Sequence, residues 1–215
     1  MREFKITRDP HEEKEYLYKK SKITLEPGLT VLVGCNGAGK STLLKTLKYQ
    51  LNKQDIPVIM FDNLVDGGSR ARSRAAFFDD FSFVASSMIS SEGENIKLNI
   101  SRFASQLGYF CLTEHKNDPE VWILLDAVDS GLSIDNVVEI KEQLFATILE
   151  NKQENQDIYI VISANEYELA RGEKCFDVQN CKYREFKTYD SFRKFILKSR
   201  EKRDNAIPKK KEKIT

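Results

Sequence analysis

No apolar run in this chain is long enough to cross a bilayer; stretches such as 121–125 and 158–162 have only the length of strands. The N-terminus, MREFKITRDPHEEKEY, is charged from its second residue and lacks the apolar core of a signal peptide. A cytoplasmic location with no membrane partner is therefore expected. Histidine is scarce, with only His11 and His115, each in charged, loop-like surroundings that suggest the surface. The four cysteines, Cys35, Cys111, Cys175 and Cys181, are scattered, with no CxxC and no neighbouring histidine cluster. That spacing argues against a zinc site or a disulfide framework and for reduced thiols. An excess of one charge is missing too: 34 Lys and Arg against 33 Asp and Glu leave a net charge of +1. This excludes a generally basic nucleic-acid coat and leaves only local patches open. Internal repeats and heptad runs are absent, which excludes long coiled-coil arms.

At 215 residues the chain has room for one well-cored α/β domain. Short strands are expected in FKIT, in EYLYKKSKITL, and in LTVLV after the turn Glu26-Pro27-Gly28. The stretch STLLKTLKYQL spaces Leu43, Leu44, Leu47 and Leu51 along one helical face. Further strands are expected at Ile56–Phe61, VWILLD and DIYIVIS, a hairpin turning at Gln179-Asn180, and helices over 95–109, over Asn136–Glu150 and in SFRKFILKSR. Such alternation predicts a mostly parallel sheet flanked by helices, with a small antiparallel β region at the N-terminus. One domain over 1–197 is expected, followed by a basic tail over 198–215 that is disordered at its end.

The chemistry of the 1–197 domain rests on one motif. Gly34-Cys35-Asn36-Gly37-Ala38-Gly39-Lys40-Ser41 matches GxxxxGK[ST], entered by a strand and left by an amphipathic helix. Its glycines let successive N–H groups turn toward phosphate at the positive end of the helix dipole. Lys40 is placed to reach the outer phosphates and Ser41 to ligate Mg²⁺. The predicted fold is thus that of a P-loop NTPase, with ATP and Mg²⁺ as cofactors. Cys35 is read as a small tolerated residue whose side chain can face solvent.

The loop, written through Thr42 as GxNGxGKST, resembles that of ATP-binding-cassette (ABC-type) ATPases. Three further segments resemble the same family in its own order: Ser91-Glu92-Gly93-Glu94 its signature loop, VWILLD its Walker B strand, and Ser130-Gly131-Leu132 its D-loop. The resemblance covers roughly residues 20–170 and points to the soluble RecF/SMC-like group in a small, arm-less form. It implies ATP contacts from Asn36, Gly37, Ala38, Gly39, Lys40, Ser41 and Thr42, and a Mg²⁺ site from Ser41 and Asp126. It also implies Ser91 and Gly93 closing over the γ-phosphate held by an opposite copy, in a head-to-tail homodimer. Tyr16 or Tyr18 stands at the upstream distance for stacking on adenine, and Asn63, where a glutamine loop is expected, is a candidate for the metal or its water.

Two positions depart from the family. The glutamate that follows the Walker B aspartate is here Ala127, which cannot act as a base. Hydrolysis is then slow or lost, a neighbour such as Asp129 substitutes, or the alanine is a deliberately introduced trap substitution. The switch histidine is missing as well; Asn165 stands in that region and is a candidate for phosphate or water contact. Arg70, Arg72, Arg74 and Lys209 to Lys211 form basic clusters without interleaved aromatics, a pattern more typical of solvated surface than of a nucleic-acid track. The resulting expectation is an ATP-Mg-binding, weakly hydrolysing ATPase whose ATP-sandwich dimer acts on DNA or a protein partner. The alternatives are an ATP-sensing scaffold without turnover, or a transporter subunit. The short 64–90 segment leaves little room for the transporter-contacting subdomain.

Overall fold

A computed structural model describes residues 1–6, 18–62, 102–129 and 133–206. Two short strands, β1 (Arg2–Lys5) and β2 (Lys22–Leu25), pair antiparallel as a separate ribbon. The main sheet holds β3 (Gly28–Val33), β4 (Val58–Asp62), β5 (Glu120–Asp126), β6 (Asp157–Ser163), β7 (Cys175–Asp177) and β8 (Lys182–Arg184). Its order is β4-β5-β6-β3-β7-β8, parallel throughout except for the hairpin partner β8. This is the α/β architecture expected of a P-loop NTPase, with the expected antiparallel ribbon at the N-terminus. Among the described residues the helices are α1 (Lys40–Asn52), α2 (102–109, closing in a π-helical turn Phe110–Glu114), α3 (Ile134–Glu139 and Ala146–Glu150, joined by a π-helical segment Ile140–Phe145), α4 (Tyr167–Ala170) and α5 (Tyr189–Ala206).

The strands read as unbroken apolar runs because both faces of the sheet are covered. Side chains alternate along each strand. Val121, Ile123 and Leu125 of β5 join Ile158, Ile160 and Ile162 of β6 in one core, closed by Phe103 and Leu107 of α2 and Val137, Ile140 and Phe145 of α3. Trp122, Leu124, Tyr159 and Val161 point the other way, into a core closed by Leu43, Leu44, Leu47 and Leu51 of α1 and by Phe4, Ile23 and Leu25 of the ribbon. Trp122 and Tyr159 stack there with ring centroids 4.0 Å apart.

Helices therefore leave neighbouring strands on opposite faces: α1 follows β3 onto one, α4 follows β6 onto the other. A crevice opens at the carboxyl ends of such strands, the usual ligand position in a doubly wound sheet. α5 continues past the 197/198 division drawn from composition. Ser199 is buried and hydrogen-bonded to the phosphate loop, so 198–206 continues the helix with Ser199 as its buried contact; 207–215 lies outside the described residues. His115 also departs from the surface reading, being half-buried with its Nδ1 2.6 Å from an Asp118 oxygen and its ring edge-on to Phe110.

Candidate nucleotide site

β3 ends at Val33, and the chain must reverse direction within six residues to begin α1 at Lys40. Gly39 makes this possible. It caps α1 at φ +95°, a left-handed conformation that glycine adopts without penalty. A Cβ at this position would stand 2.9 Å from the Tyr18 hydroxyl, which donates to the Gly39 carbonyl at 2.7 Å. Tyr18 is thus fastened against the loop just where the helix starts.

Lys40 is buried, and its ammonium donates back to the Gly34 carbonyl at 2.9 Å. Burial pushes its pKa below the usual lysine range; electrostatic interactions with Cys35, Asp129 and Asp126 oppose that push. A poorly solvated cation folded onto its own loop is well placed to accept the added negative charge of phosphate.

Asp126 ends β5 and Ser163 ends the adjacent β6, where Leu125 and Ile162 are register partners. The Ser163 hydroxyl accepts from the Ala127 N–H at 2.8 Å and donates to Asp126 Oδ1 at 2.6 Å. Its single proton is thereby committed to the carboxylate. Ala127 itself sits at φ +51°, a left-handed conformation uncommon for a residue with a Cβ. Asp129 is buried one step further back. Its Oδ2 accepts from the N–H groups of Asn165 and Glu166 at 2.6 and 2.8 Å, while its Oδ1 is buried without a hydrogen-bond partner.

Together these residues frame a cleft of about 320 Å³. Asn36, Gly37, Gly39, Lys40, Ser41 and Thr42 form one wall; Asp126, Ala127, Ser163 and Asn165 form the other. Ala38 stands apart from the other loop candidates: its side chain packs in the core and its N–H turns back to the Cys35 carbonyl at 3.0 Å. Asp129 does not line the cleft but holds the turn that carries Asn165 into it. Cys35, expected to reach solvent, is buried within the core that the α1 leucines close. Tyr16, Asn63, Ser91 and Gly93, with the signature and D-loop segments, lie outside the described residues.

Sequence reasoning passed over Ser163. Its signal was a hydroxyl closing the otherwise apolar run DIYIVIS, at the end of a strand whose neighbour ends in aspartate. Among the described residues no group of three or more His, Cys, Asp or Glu could hold a metal unaided. A cation here would take one hydroxyl and one carboxylate from the protein and its remaining ligands from phosphate and water, the habit of Mg²⁺.

The family model described as an AAA domain matches residues 23–170, well over half of the chain. No curated protein matches the chain significantly. The matched stretch contains both walls of the cleft, with the phosphate-loop motif on one and the strand-end carboxylate of Asp126 on the other. No helix among the described residues is long and apolar enough to cross a membrane. The chain belongs to the AAA domain family and carries a P-loop ATPase domain over the matched stretch.

Proposed function

We propose that this protein is a soluble, cytoplasmic ABC-type ATPase that binds ATP-Mg, pairs head to tail with a second copy around the nucleotide, and turns it over slowly. The observation that carries the reading is the composition of the cleft's second wall. It supplies a metal-directed carboxylate in Asp126, oriented by Ser163, yet presents only the methyl group of Ala127 where a general base would stand. Ser41 and Asp126 are the Mg²⁺ ligands in this reading, and the ion neutralises phosphate charge when bound. Lys40 and the loop N–H groups bind the phosphates, and Asn165 faces the γ-phosphate side. Asp129 acts as a positioning residue, because both N–H groups of the 165–166 turn converge on one of its oxygens. Tyr18, pinned at Gly39, supports an adenine position on the ribbon side, with Tyr16 as its neighbour in sequence. Asn63 would contact the metal or its water, and Ser91 and Gly93 of the second copy would close over the γ-phosphate. The clamp so formed acts on DNA or on a protein partner.

The test is calorimetry and phosphate release on the full chain. Lys40→Ala should abolish ATP-Mg binding while leaving the fold intact. Ala127→Glu should raise turnover by about 10²-fold or more, the usual worth of a general base. Light scattering should show a dimer with ATP-Mg and a monomer with ADP. Tight ATP binding with no turnover in either form would favour the second reading, an ATP-sensing scaffold, which Ala127 also suits. Unchanged ATP affinity in Lys40→Ala would remove both.

A further inference from the structure

The C-terminal helix α5 lies outside the stretch that the family model matches, yet it is hydrogen-bonded to the phosphate loop. Ser199, 2 % exposed, accepts the Cys35 N–H at 3.0 Å and donates to Gln179 Oε1 at 2.8 Å. Gln179 returns a bond from its Nε2 to the Ser199 carbonyl at 3.2 Å. The serine's only proton is therefore taken by Gln179, which leaves its lone pairs for the loop. One turn further along α5, Arg203 donates to the Asn36 carbonyl, and its stem lies 3.4 Å from where a Gly37 Cβ would be.

These contacts fall on the groups a phosphate loop does not use for phosphate. To grip an anion, the N–H groups of the loop's second half must turn inward, which forces polar groups of the first half outward. Of those, Lys40 engages the Gly34 carbonyl, Ser199 the Cys35 N–H and Arg203 the Asn36 carbonyl. Ile196 of α5 packs against the core that contains Cys35. A cleft of about 470 Å³ opens between Gly34–Asn36 and the side chains of Ile196, Leu197 and Arg200. The link between helix and loop is made of directional bonds, which set a conformation rather than merely exclude water. At Gly34, with φ +153°, a Cβ would meet Ala38 Cβ at 2.9 Å and Val178 Cγ2 at 3.2 Å, so the loop has no slack on this side.

We propose that Ser199 and Arg203 are positioning residues for the phosphate loop, and that the C-terminal helix thereby sets the protein's affinity for ATP. The inference rests on the ATP-binding reading above and extends it. Displacing α5 releases Cys35 and Asn36 and loosens the inward-facing amides, so anything that moves the chain's end changes nucleotide occupancy.

The experiment measures ATP-Mg affinity by calorimetry, and amide hydrogen exchange at 35–39 without nucleotide, on the full chain. Ser199→Ala should weaken ATP about tenfold, the factor that one lost hydrogen bond is worth. Exchange at 35–39 should quicken in that variant more than in the strands. Ser199 is buried, so Arg203→Met, at the exposed end of the link, guards against a general loss of fold. It should weaken ATP about fivefold with an unchanged unfolding transition, and Arg203→Lys should restore affinity to within about twofold, since the ammonium still donates to a carbonyl. Wild-type affinity in both Ser199→Ala and Arg203→Met, with Lys40→Ala still abolishing binding, overturns the positioning role and leaves the ATP site standing. Equal losses in Arg203→Met and Arg203→Lys overturn the hydrogen-bond argument. An unsubstituted protein that binds no ATP overturns the underlying reading itself.

Discussion

Replacing Ser163 with alanine tests the architecture of the second wall most directly. The residue is 1 % exposed, and its hydroxyl performs two tasks at once. Losing the 2.6 Å bond to Asp126 removes a hydrogen bond to a charged group, a class worth about 1.5–3 kcal/mol. The Ala127 N–H loses its 2.8 Å acceptor as well, and an unpaired N–H costs about 1–3 kcal/mol where it stays buried. Ala127 lies at the cleft's rim, where water can partly replace the serine, so the two costs do not add in full. A net loss of about 2–4 kcal/mol is expected. For a chain of this size that is a fall in Tm of about 5–15 °C. The assay is urea unfolding of the nucleotide-free protein, with the midpoint falling and the slope m unchanged. ATP-Mg affinity should fall too, because Asp126 loses the neighbour that aims it. A stability loss under about 0.5 kcal/mol, with unaltered ATP-Mg affinity, would refute the claim that Ser163 orients the carboxylate.

Two further outcomes follow from buried groups. Asp129→Ala removes the acceptor of two backbone N–H groups and should cost about 2–4 kcal/mol, whereas Asp129→Asn keeps an acceptor oxygen and should cost clearly less in urea unfolding. Turnover that survives Asp129→Asn supports positioning; turnover lost equally in both variants would make Asp129 the base. Burial raises the Cys111 and Cys175 thiols to about 12, so both stay protonated in the folded protein at pH values where the unfolded chain ionises them. Their contribution is intact below pH 9 and is lost as pH rises from there toward 12, by about 1.4 kcal/mol per pH unit for each thiol. Cys111→Ala should flatten that decline in a series of urea titrations; an identical slope in the variant would contradict the assignment.

Local chemistry made much of this protein legible in its residues. The phosphate loop, its entering strand and its leaving helix are neighbours in sequence, and the glycines and the Leu43-Leu44-Leu47-Leu51 stripe declare them. The runs VWILLD and DIYIVIS announce strands covered on both faces, and Gln179-Asn180 announces the hairpin, because a strand's period and a turn's backbone demands are short-range properties. The helix ending at residue 206 was foreshortened, since a lysine- and arginine-rich stretch looks solvated until the one face that meets the loop is known. Lateral relations were out of reach. Ser163 meets Asp126 across 37 positions, and Ser199 meets Cys35 across 164. No periodicity encodes such pairs. They exist because β6 is inserted between β3 and β5, bringing three strand ends to one crevice, and because the β7–β8 hairpin returns the chain so that α5 lies against the phosphate loop. The residues determined which groups could bind a nucleotide; the order of strands decided which of them face one another, because that order is set by long-range packing rather than by any local preference.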